Sequence, residues 1–530
     1  MLRLAIPVRP AAPLAPLHSC SVVQLRLTAA SSSPSRARAF SSTRFTQLDA
    51  ERQTSHAGQY PPPSVPKDPR RRILPSSASA SSSSKPFPSP SSSSSSSQRD
   101  PSTAYPSSTP QPLISPPPST ARLPRRRITS MTDLPSSFGR NQIIDVPAEV
   151  QRDLEEVMKS FKAPVRYAFA YGSGVFRQKG YAKEDKPLLD FIFAVSHPSH
   201  WHAINMQQHP DHYSLPMRIM GSNAVAWMQE KGLGAEVWFN VDVEVEGKLL
   251  KYGVISIDAL CRDLLDWETL YISGRTQKPV RILRDDARVR LANQVNLASA
   301  LRTALLLLPE SFNEVELFEE MAGLSYRGDF RMRVGENPLK VRNIVAAQLG
   351  AFRGLYGGLL KSFWKAVHVI GEVPPPSGLG LGEEVGGIRL MRQDLAPAVR
   401  AHTASRLPVG LRDKVLGHYE RKWNLEGALT GRERERRAKE ESGETEKGGI
   451  DLEGQRMWER IVTDDEFKEV MNRSLAQIVA CPTFNQSLKG ILSAGPVKSL
   501  RYVIPKLKKK WGKATTPSLP TPPSNEVKNE

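Results

Sequence analysis

The sequence predicts an α+β fold in two folded parts, a strand-containing domain at 141–285 and a mainly helical domain at 286–495. In the first part, short apolar runs bounded by turn residues alternate with segments of helical periodicity. After Arg284, apolar residues recur every three or four positions over long segments, and no convincing strand lies between them.

The first domain opens with an amphipathic helix, because Val146, Val150, Leu154, Val157 and Phe161 recur every three or four residues. Two apolar runs then predict strands, VRYAFAYGSG with a glycine turn at its end and PLLDFIFAV with one acid inside it. AEVWFNVDVEVEG and KLLKYGVIS predict a hairpin, which a helix and the short strand VRIL follow.

Helical periodicity continues through ANQVNLASALRTALLLL, NEVELFEEMAGLSY and NPLKVRNIVAAQLGAFRGLY, and it resumes near residue 457. Two segments interrupt it. The segment near 371–384 is rich in Pro and Gly, and the segment near 431–454 is dense in charge. We expect both to be disordered insertions.

The 530 residues carry 73 Lys and Arg against 54 Asp and Glu, a net charge of +19. The excess lies at the two ends: residues 1–140 hold 18 basic and 5 acidic side chains, and residues 498–513 hold 7 basic ones and no acid. The body at 141–497 is neutral. Because a basic folded surface is typical of nucleic-acid binding, the neutral body argues against a nucleic-acid partner.

The amino-terminal end has the composition of an organellar targeting sequence. Residues 1–40 are rich in Arg and Ser and contain no acid, which predicts a mitochondrial presequence, with a plain basic tail as the alternative. Residues 41–140 are rich in Ser and Pro and predict a disordered linker. No run of about 18 uninterrupted apolar residues occurs, so the sequence predicts no transmembrane helix.

Residues that suit phosphate and metal binding follow the first predicted strand. Gly172, Ser173 and Gly174 form a turn that presents backbone N–H groups and a hydroxyl, and Asp190 lies inside the next, otherwise apolar strand. An acid in such a strand is costly unless it is paired or bound to a metal. Alone, the turn could equally be an ordinary tight turn, but turn and acid together favour a site for phosphate and a divalent cation.

This layout resembles the nucleotidyltransferase fold of the DNA polymerase beta type. Within that fold, the strings FAYGSGVFRQ, LLDFIFAV, GAEVWFN, DLLDWETLYISGRTQKPV, AGLSYRGDFRM and SLKGILSAG resemble the mitochondrial translocator assembly and maintenance protein family, the mitochondrial phosphatidate cytidylyltransferases. The resemblance implies a polymerase-beta-type nucleotidyltransferase domain followed by a winged-helix-like domain. It also implies transfer of CMP from CTP to phosphatidate, with Mg²⁺, to give CDP-diacylglycerol and pyrophosphate.

On this resemblance, Asp190, Ser173 and Lys251 are the expected catalytic residues, and Asp190 is an expected Mg²⁺ ligand. The expected nucleotide-binding residues are Gly172, Ser173, Gly174, Tyr252, Arg275 and Lys278. Lysines and arginines near helix ends also occur as plain partners of the helix dipole, so the basic residues have that alternative. Asp329 and Arg331 are candidates for the lipid phosphate, or they could simply pair with each other.

One position departs from the fold's usual pattern. Members usually carry an Asp-x-Asp pair on the strand of Asp190, but Ile192 occupies the second position here. Asp242 in the hairpin is the candidate for the missing metal ligand, and the alternative is that it is an exposed strand residue.

Half of the ten histidines lie between 197 and 212. No cysteine lies nearby and the spacing fits no common zinc pattern, so the sequence does not favour a zinc site. We expect His202, Asn205, His212 and Tyr213 to shape a loop over the nucleotide.

The basic carboxy-terminal segment, 496–530, carries apolar residues three or four apart among its lysines, and Trp511 at its edge. This pattern favours a contact with an anionic membrane surface, with a solvated charge run as the alternative. Pro505 is expected to break a continuous helix there.

The sequence therefore predicts a mitochondrial enzyme on the matrix side of the inner membrane, attached peripherally, that supplies phosphatidylglycerol and cardiolipin synthesis. Two alternatives remain, a non-enzymatic assembly factor for mitochondrial protein import and an RNA nucleotidyltransferase of the same fold.

Overall fold

The computed structural model describes residues 134–135, 137–176, 188–232, 234–334, 336–374, 386–442 and 451–511, with the backbone alone for residues 333–334, 440–442, 492 and 494–511. The predicted presequence and nearly all of the predicted linker lie outside these ranges, as does the tail at 512–530.

The described α-helices are α1 (Ala148–Ser160), α2 (Pro198–Gln208), α3 (Leu215–Glu230), α4 (Ile257–Asp266), α5 (Ser273–Thr276), α6 (Ala287–Leu307), α7 (Glu314–Gly323), α8 (Phe330–Val334), α9 (Lys340–Ala347), α10 (Leu349–Ser362), α11 (Pro397–Ala404), α12 (Val409–Trp423), α13 (Ala428–Ser442), α14 (Leu452–Val462) and α15 (Phe467–Trp511). The described strands are β1 (Tyr167–Tyr171), β2 (Leu189–Val195), β3 (Val237–Val245), β4 (Lys248–Ser256), β5 (Arg281–Arg284), β6 (Ser311–Asn313), β7 (Val367–Val373) and β8 (Ile388–Gln393).

The first five strands form one mixed sheet in the order β3-β4-β2-β1-β5. β2 and β4 are parallel, and the other neighbouring pairs are antiparallel. The strands and the hairpin predicted between 165 and 284 are confirmed. Because β4 returns beside β2, the chain places Asp190 and Lys251 on adjacent strands.

Both faces of this sheet are buried. On one face, Leu154 of α1 and Trp201 of α2 pack against Phe191 and Tyr252. On the other face, Leu260 of α4 and residues of α6 pack against side chains such as Ile192. Strand residues therefore alternate between two separate apolar clusters, and each polar side chain on a strand belongs to one face or the other.

The later part of the chain is mainly helical and holds a small antiparallel sheet in the order β6-β8-β7. The expectation of no strand in this part is wrong. β6 has only three residues, too few to give a period-2 pattern, and its pairing with β8 supplies the hydrogen bonds that define it. The fold as a whole is α+β.

The two expected insertions are only partly as predicted. The first begins inside β7, and residues 375–385 lie outside the described residues. In the second, residues up to Ser442 belong to helix α13. The physical reason is a pair of salt bridges that hold this segment in place. The buried Glu433 carboxylate lies 3.0 Å from Arg412 Nη1 of α12 and 2.7 Å from Arg436 Nη2. The charged residues here therefore belong to a helix held by ion pairs, and not to a disordered segment.

Helix α15 continues through Pro505 to Trp511, so the expected break at this proline is wrong. Among the described helices, none combines the length and the apolar character needed to cross a membrane.

Candidate active site

An ion pair between two parallel strands marks the candidate site. The register of β2 and β4 aligns Asp190 with Lys251, and the Lys251 Nζ lies 3.8 Å from the Asp190 Oδ1. The Asp190 side chain is 22% exposed and the Lys251 side chain 17%, so a ligand in solution can reach both. The Lys251 Nζ also lies 4.9 Å from the ring centroid of Phe239, whose side chain belongs to the same sheet face as Ile192. Two predicted catalytic residues are thus in contact.

The glycine turn after β1 packs directly against this acid. The last residue of β1 pairs with Asp190, and Gly172 follows with a φ of +85°. A Cβ on Gly172 would lie 3.2 Å from the Asp190 Oδ2, so the backbone conformation and the close approach both favour glycine. A Cβ on Gly174 would meet the Leu188 carbonyl oxygen at 2.5 Å. Ser173, the third predicted catalytic residue, is half-buried between these glycines.

Three cations from separate segments surround one buried tyrosine. Burial would raise the pKa of the Tyr271 phenol, but nearby positive charges outweigh burial and hold this pKa below its usual value. The charges are those of Arg275, Arg331 and Lys251. The Arg275 guanidinium carbon lies 4.1 Å from the Tyr271 ring centroid. Cations gathered in this way suit a ligand with several phosphate groups.

A buried carboxylate that the sequence analysis missed holds the Arg275 loop in place. Asp263 on α4 accepts five hydrogen bonds of 2.8–3.1 Å, from the Thr269 hydroxyl and from the backbone N–H groups of Thr269, Leu270, Ile272 and Ser273. These residues lead directly into α5. The sequence held one signal that could have revealed Asp263, an acid placed beside the apolar face of a helix. Such an acid is costly to bury unless it is hydrogen-bonded.

Asp329 and Arg331 bind each other, which was the open alternative for this pair. The Arg331 Nε donates to both carboxylate oxygens, at 3.0 and 3.1 Å, and Nη2 donates to Oδ2 at 2.7 Å. Asp329 is buried and also accepts from the Arg331 backbone N–H. Asp329 therefore orients Arg331 toward Tyr271.

Lys278 makes its hydrogen bonds to the protein. Its Nζ donates to three oxygens, the carbonyls of Gly274 and Ala322 and the hydroxyl of Ser325. Burial lowers the pKa of the Lys278 ammonium to about 7, and the charges of Arg275 and Lys340 contribute. Lys278 therefore joins α5 to the helical part that follows, a structural contact that the sequence did not predict.

The prediction that Tyr252 contacts the nucleotide is wrong. Its hydroxyl is buried and hydrogen-bonded at 2.7–2.8 Å to Asn205, His212 and Asn240. The reason is strand alternation: Tyr252 follows Lys251, so its side chain lies on the opposite face of the sheet.

The residues expected to shape a loop over the nucleotide lie on that opposite side as well, where they pack around the Tyr252 and Tyr213 hydroxyls: His202, Asn205, His212 and Tyr213. His202 belongs to α2 and is hydrogen-bonded to the Tyr213 hydroxyl at 2.8 Å and to Gln229 at 2.9 Å. Burial lowers the pKa of His202 to about 4, so its imidazole is neutral at physiological pH. These polar groups form a structural network beneath the sheet.

One histidine group has ligand atoms close enough to suggest a metal. The candidate donor atoms of His209, Asp211 and His212 lie within 4.8 Å of one another. The two imidazole rings are stacked, with centroids 4.5 Å apart and planes 6° from parallel. Because an imidazole binds a metal in its ring plane, two parallel stacked rings do not direct their lone pairs at one ion. The arrangement does not fit a metal site.

The structure does not bring the predicted pair of metal ligands together. Asp242 has a φ of 52° and lies in a bulge of β3, where the register shifts between Asn240 and Val243. Since β4 separates β3 from β2, Asp242 and Asp190 lie on strands about 10 Å apart, with Lys251 on the strand between them.

Comparisons with known proteins find relatives of this chain. The family "Phosphatidate cytidylyltransferase, mitochondrial" matches residues 154–509. Three proteins of that name are similar to the chain. The one from Saccharomyces cerevisiae is 44% identical over 234 residues, which are 43% of this chain and 60% of that protein. The one from Schizosaccharomyces pombe is 35% identical over 383 residues, 70% of this chain and 88% of that protein.

The third, from Mus musculus, is 36% identical over 361 residues, 68% of this chain and 94% of that protein. The family match covers both sides of the site, the sheet with Asp190 and Lys251 and the helical part with Arg331. The chain therefore belongs to the family of mitochondrial phosphatidate cytidylyltransferases.

Proposed function

We propose that the protein transfers CMP from CTP to phosphatidate, giving CDP-diacylglycerol and pyrophosphate. The observation that carries the proposal is the convergence of Lys251, Arg275 and Arg331 on Tyr271, next to Asp190. Both substrates are phosphate anions, and a site that joins them must offset their mutual repulsion. For the fold, we propose a nucleotidyltransferase domain of the DNA polymerase beta type, followed by a winged-helix-like domain.

In the proposed reaction, an oxygen of the phosphatidate phosphate attacks the α-phosphorus of CTP. A new P–O bond forms, the bond between the α-phosphorus and its bridging oxygen to the β-phosphorus breaks, and pyrophosphate leaves with that oxygen. The attacking oxygen is already anionic near neutral pH, so no serine or histidine has to activate it. Lys251, Arg275 and Arg331 would hold the phosphates, and the Gly172 turn would let them approach the Asp190 end of β2 closely.

Mg²⁺ fits this site on the chemistry of its donors. Mg²⁺ commonly uses one or two carboxylates and takes its remaining ligands from substrate phosphates and water. Asp190 is partly exposed on the face that carries the cations, so it would hold the ion. When bound, Mg²⁺ would offset negative charge on the triphosphate.

The direct test is turnover by the purified full chain with CTP, phosphatidate and Mg²⁺. We expect CDP-diacylglycerol and pyrophosphate in equal amounts, with no product when any one component is left out. A folded protein without turnover would support the non-enzymatic assembly role, and nucleotide addition to RNA in place of phosphatidate would support the RNA alternative.

We propose further that the protein is mitochondrial and binds the matrix side of the inner membrane peripherally, for phosphatidylglycerol and cardiolipin synthesis. The support is chemical. Phosphatidate resides in a bilayer, and residues 498–513 carry seven basic side chains and no acid.

Replacing Lys506, Lys508, Lys509 and Lys510 by Gln is expected to weaken binding to cardiolipin-containing vesicles at least ~100-fold. Each lysine near an anionic surface contributes about 1 kcal/mol. Co-sedimentation with vesicles measures the effect, and added salt should weaken the native protein similarly. The double variant Lys159→Gln, Lys162→Gln is the control. Unchanged binding by the quadruple variant would contradict the membrane contact.

A further inference from the structure

Helix α15 carries a buried lysine that the proposed mechanism has not used. Lys489 is only 4% exposed, and its Nζ makes no hydrogen bond to any group in the described part of the chain. A buried ammonium without a partner costs several kcal/mol, so its presence needs a physical reason.

The position of Lys489 is fixed by its neighbours on the same helix face. Three residues before it, the Gln486 side chain bonds the backbone of Ala235 and Val237, at 3.2 and 3.1 Å. Four residues after it, the Ser493 hydroxyl donates to the Phe239 carbonyl at 3.3 Å. Residues at these spacings share one side of a helix. Lys489 therefore lies against edge strand β3, between these two anchors.

This stretch of β3 adjoins the candidate active site. The Phe239 ring lies beneath the Lys251 ammonium and 6.3 Å from the Tyr271 ring. Closer to its start, α15 also packs on the segment that carries Arg331, where the Phe330 and Phe484 rings are 5.7 Å apart. Between Phe484 and Ser493, helix α15 thus contacts both the Arg331 segment and the β3 edge beside the site.

Glu236, the acid whose charge acts on Lys489, is already paired with another residue. Burial lowers the pKa of the Lys489 ammonium to about 8, and the charge of Glu236 offsets this only in part. The Glu236 carboxylate accepts a hydrogen bond of 2.7 Å from Arg262, so its charge is shared with that arginine. The Lys489 ammonium makes no hydrogen bond to this carboxylate.

We propose that Lys489 binds a phosphate group of a substrate, and that this anion is the partner its buried ammonium lacks in the free protein. The inference rests on the proposed function. The phosphate could come from the triphosphate of CTP or from phosphatidate, whose phosphates share the same chemistry, and binding measurements distinguish these two sources.

The test uses the full chain with Lys489→Met, which keeps the length and removes the charge, and Lys489→Arg, which keeps the charge. Exposed Lys468 on the same helix provides the control, Lys468→Met. Three quantities are measured for each: the Tm without ligand, the Kd for CTP with Mg²⁺, and the KM for phosphatidate in vesicles. Native turnover is measured in parallel, so failure of the proposed function is seen separately from failure of this inference.

We expect Lys489→Met to raise the Tm of the free protein, because it removes an unpaired buried charge. We expect it also to weaken the CTP Kd or the phosphatidate KM at least ~10-fold, with partial rescue by Lys489→Arg. A change in the CTP constant assigns Lys489 to the triphosphate, and a change in the phosphatidate constant assigns it to the lipid. If both constants stay within about twofold of native, or if Lys489→Met lowers the Tm, Lys489 is structural and the inference fails.

Discussion

Asp190→Asn is expected to lower kcat/KM for CDP-diacylglycerol formation by at least ~100-fold while the protein stays folded. The substitution keeps the shape of the side chain but removes the charge that faces Lys251 and would hold Mg²⁺. Because the carboxylate is partly exposed and its ion pair is long, the fold should lose little stability. Initial rates with CTP and phosphatidate, together with thermal unfolding, measure both effects.

Asp153→Asn on the exposed side of α1 is the control for this variant and should retain native rates. Asp242→Asn adds a comparison. If Asp242 is not a metal ligand, its loss should affect the rate far less than loss of Asp190. A native rate for Asp190→Asn would contradict the assignment of this residue to the reaction.

The largest effect on stability is expected from Asp263→Asn. The carboxylate accepts from the Ile272 and Ser273 N–H groups at Oδ2, at 3.1 and 2.9 Å. An Asn has only one acceptor oxygen, so its NH₂ group would face either these donors or those at Oδ1. Two N–H groups would lose their acceptor in either orientation, and the Thr269 hydroxyl as well in the second, at a cost of about 3 kcal/mol or more. Urea unfolding measures the loss.

The same substitution should also weaken CTP binding, since the displaced loop leads to Arg275. Asp258→Asn in the first turn of the same helix is the matched control. Its ion pair with Arg288 is exposed, so it should change the unfolding free energy by less than about 1 kcal/mol. Native stability for Asp263→Asn would show that the hydrogen bonds to this carboxylate do not hold the loop.

Sequence patterns predicted the elements that local chemistry determines. The apolar runs of β1 and β2 and the Gly172 turn follow from β-propensity and backbone freedom, and Asp190 stood out as an acid in an apolar strand. That Asp190 and Lys251 are adjacent could not be predicted in this way, because it depends on parallel pairing between residues 61 positions apart in sequence.

Other features escaped prediction because they depend on tertiary contacts. Lys251 and Tyr252 are neighbours in sequence, and only the sheet decides which of them faces the ligand. Asp263 is recognised by the N–H groups that turn toward it from the following loop. Lys489 is recognised by a buried Nζ that has no hydrogen-bond partner in the described part of the chain. Glu433 shows the opposite error: its charge-dense segment was expected to be disordered, but ion pairs with Arg412 and Arg436 hold it in a helix.

The unbroken length of α15 has a mechanical consequence. It is one helix of 45 residues, about 68 Å long, and it contains both Lys489, which lies against β3, and the start of the basic segment. Each residue of an α-helix adds 1.5 Å along the helix axis and 100° of rotation around it. The number of residues between Ser493 and Trp511 therefore fixes how far along the helix, and at what angle around its axis, the backbone of the basic segment lies from Ser493.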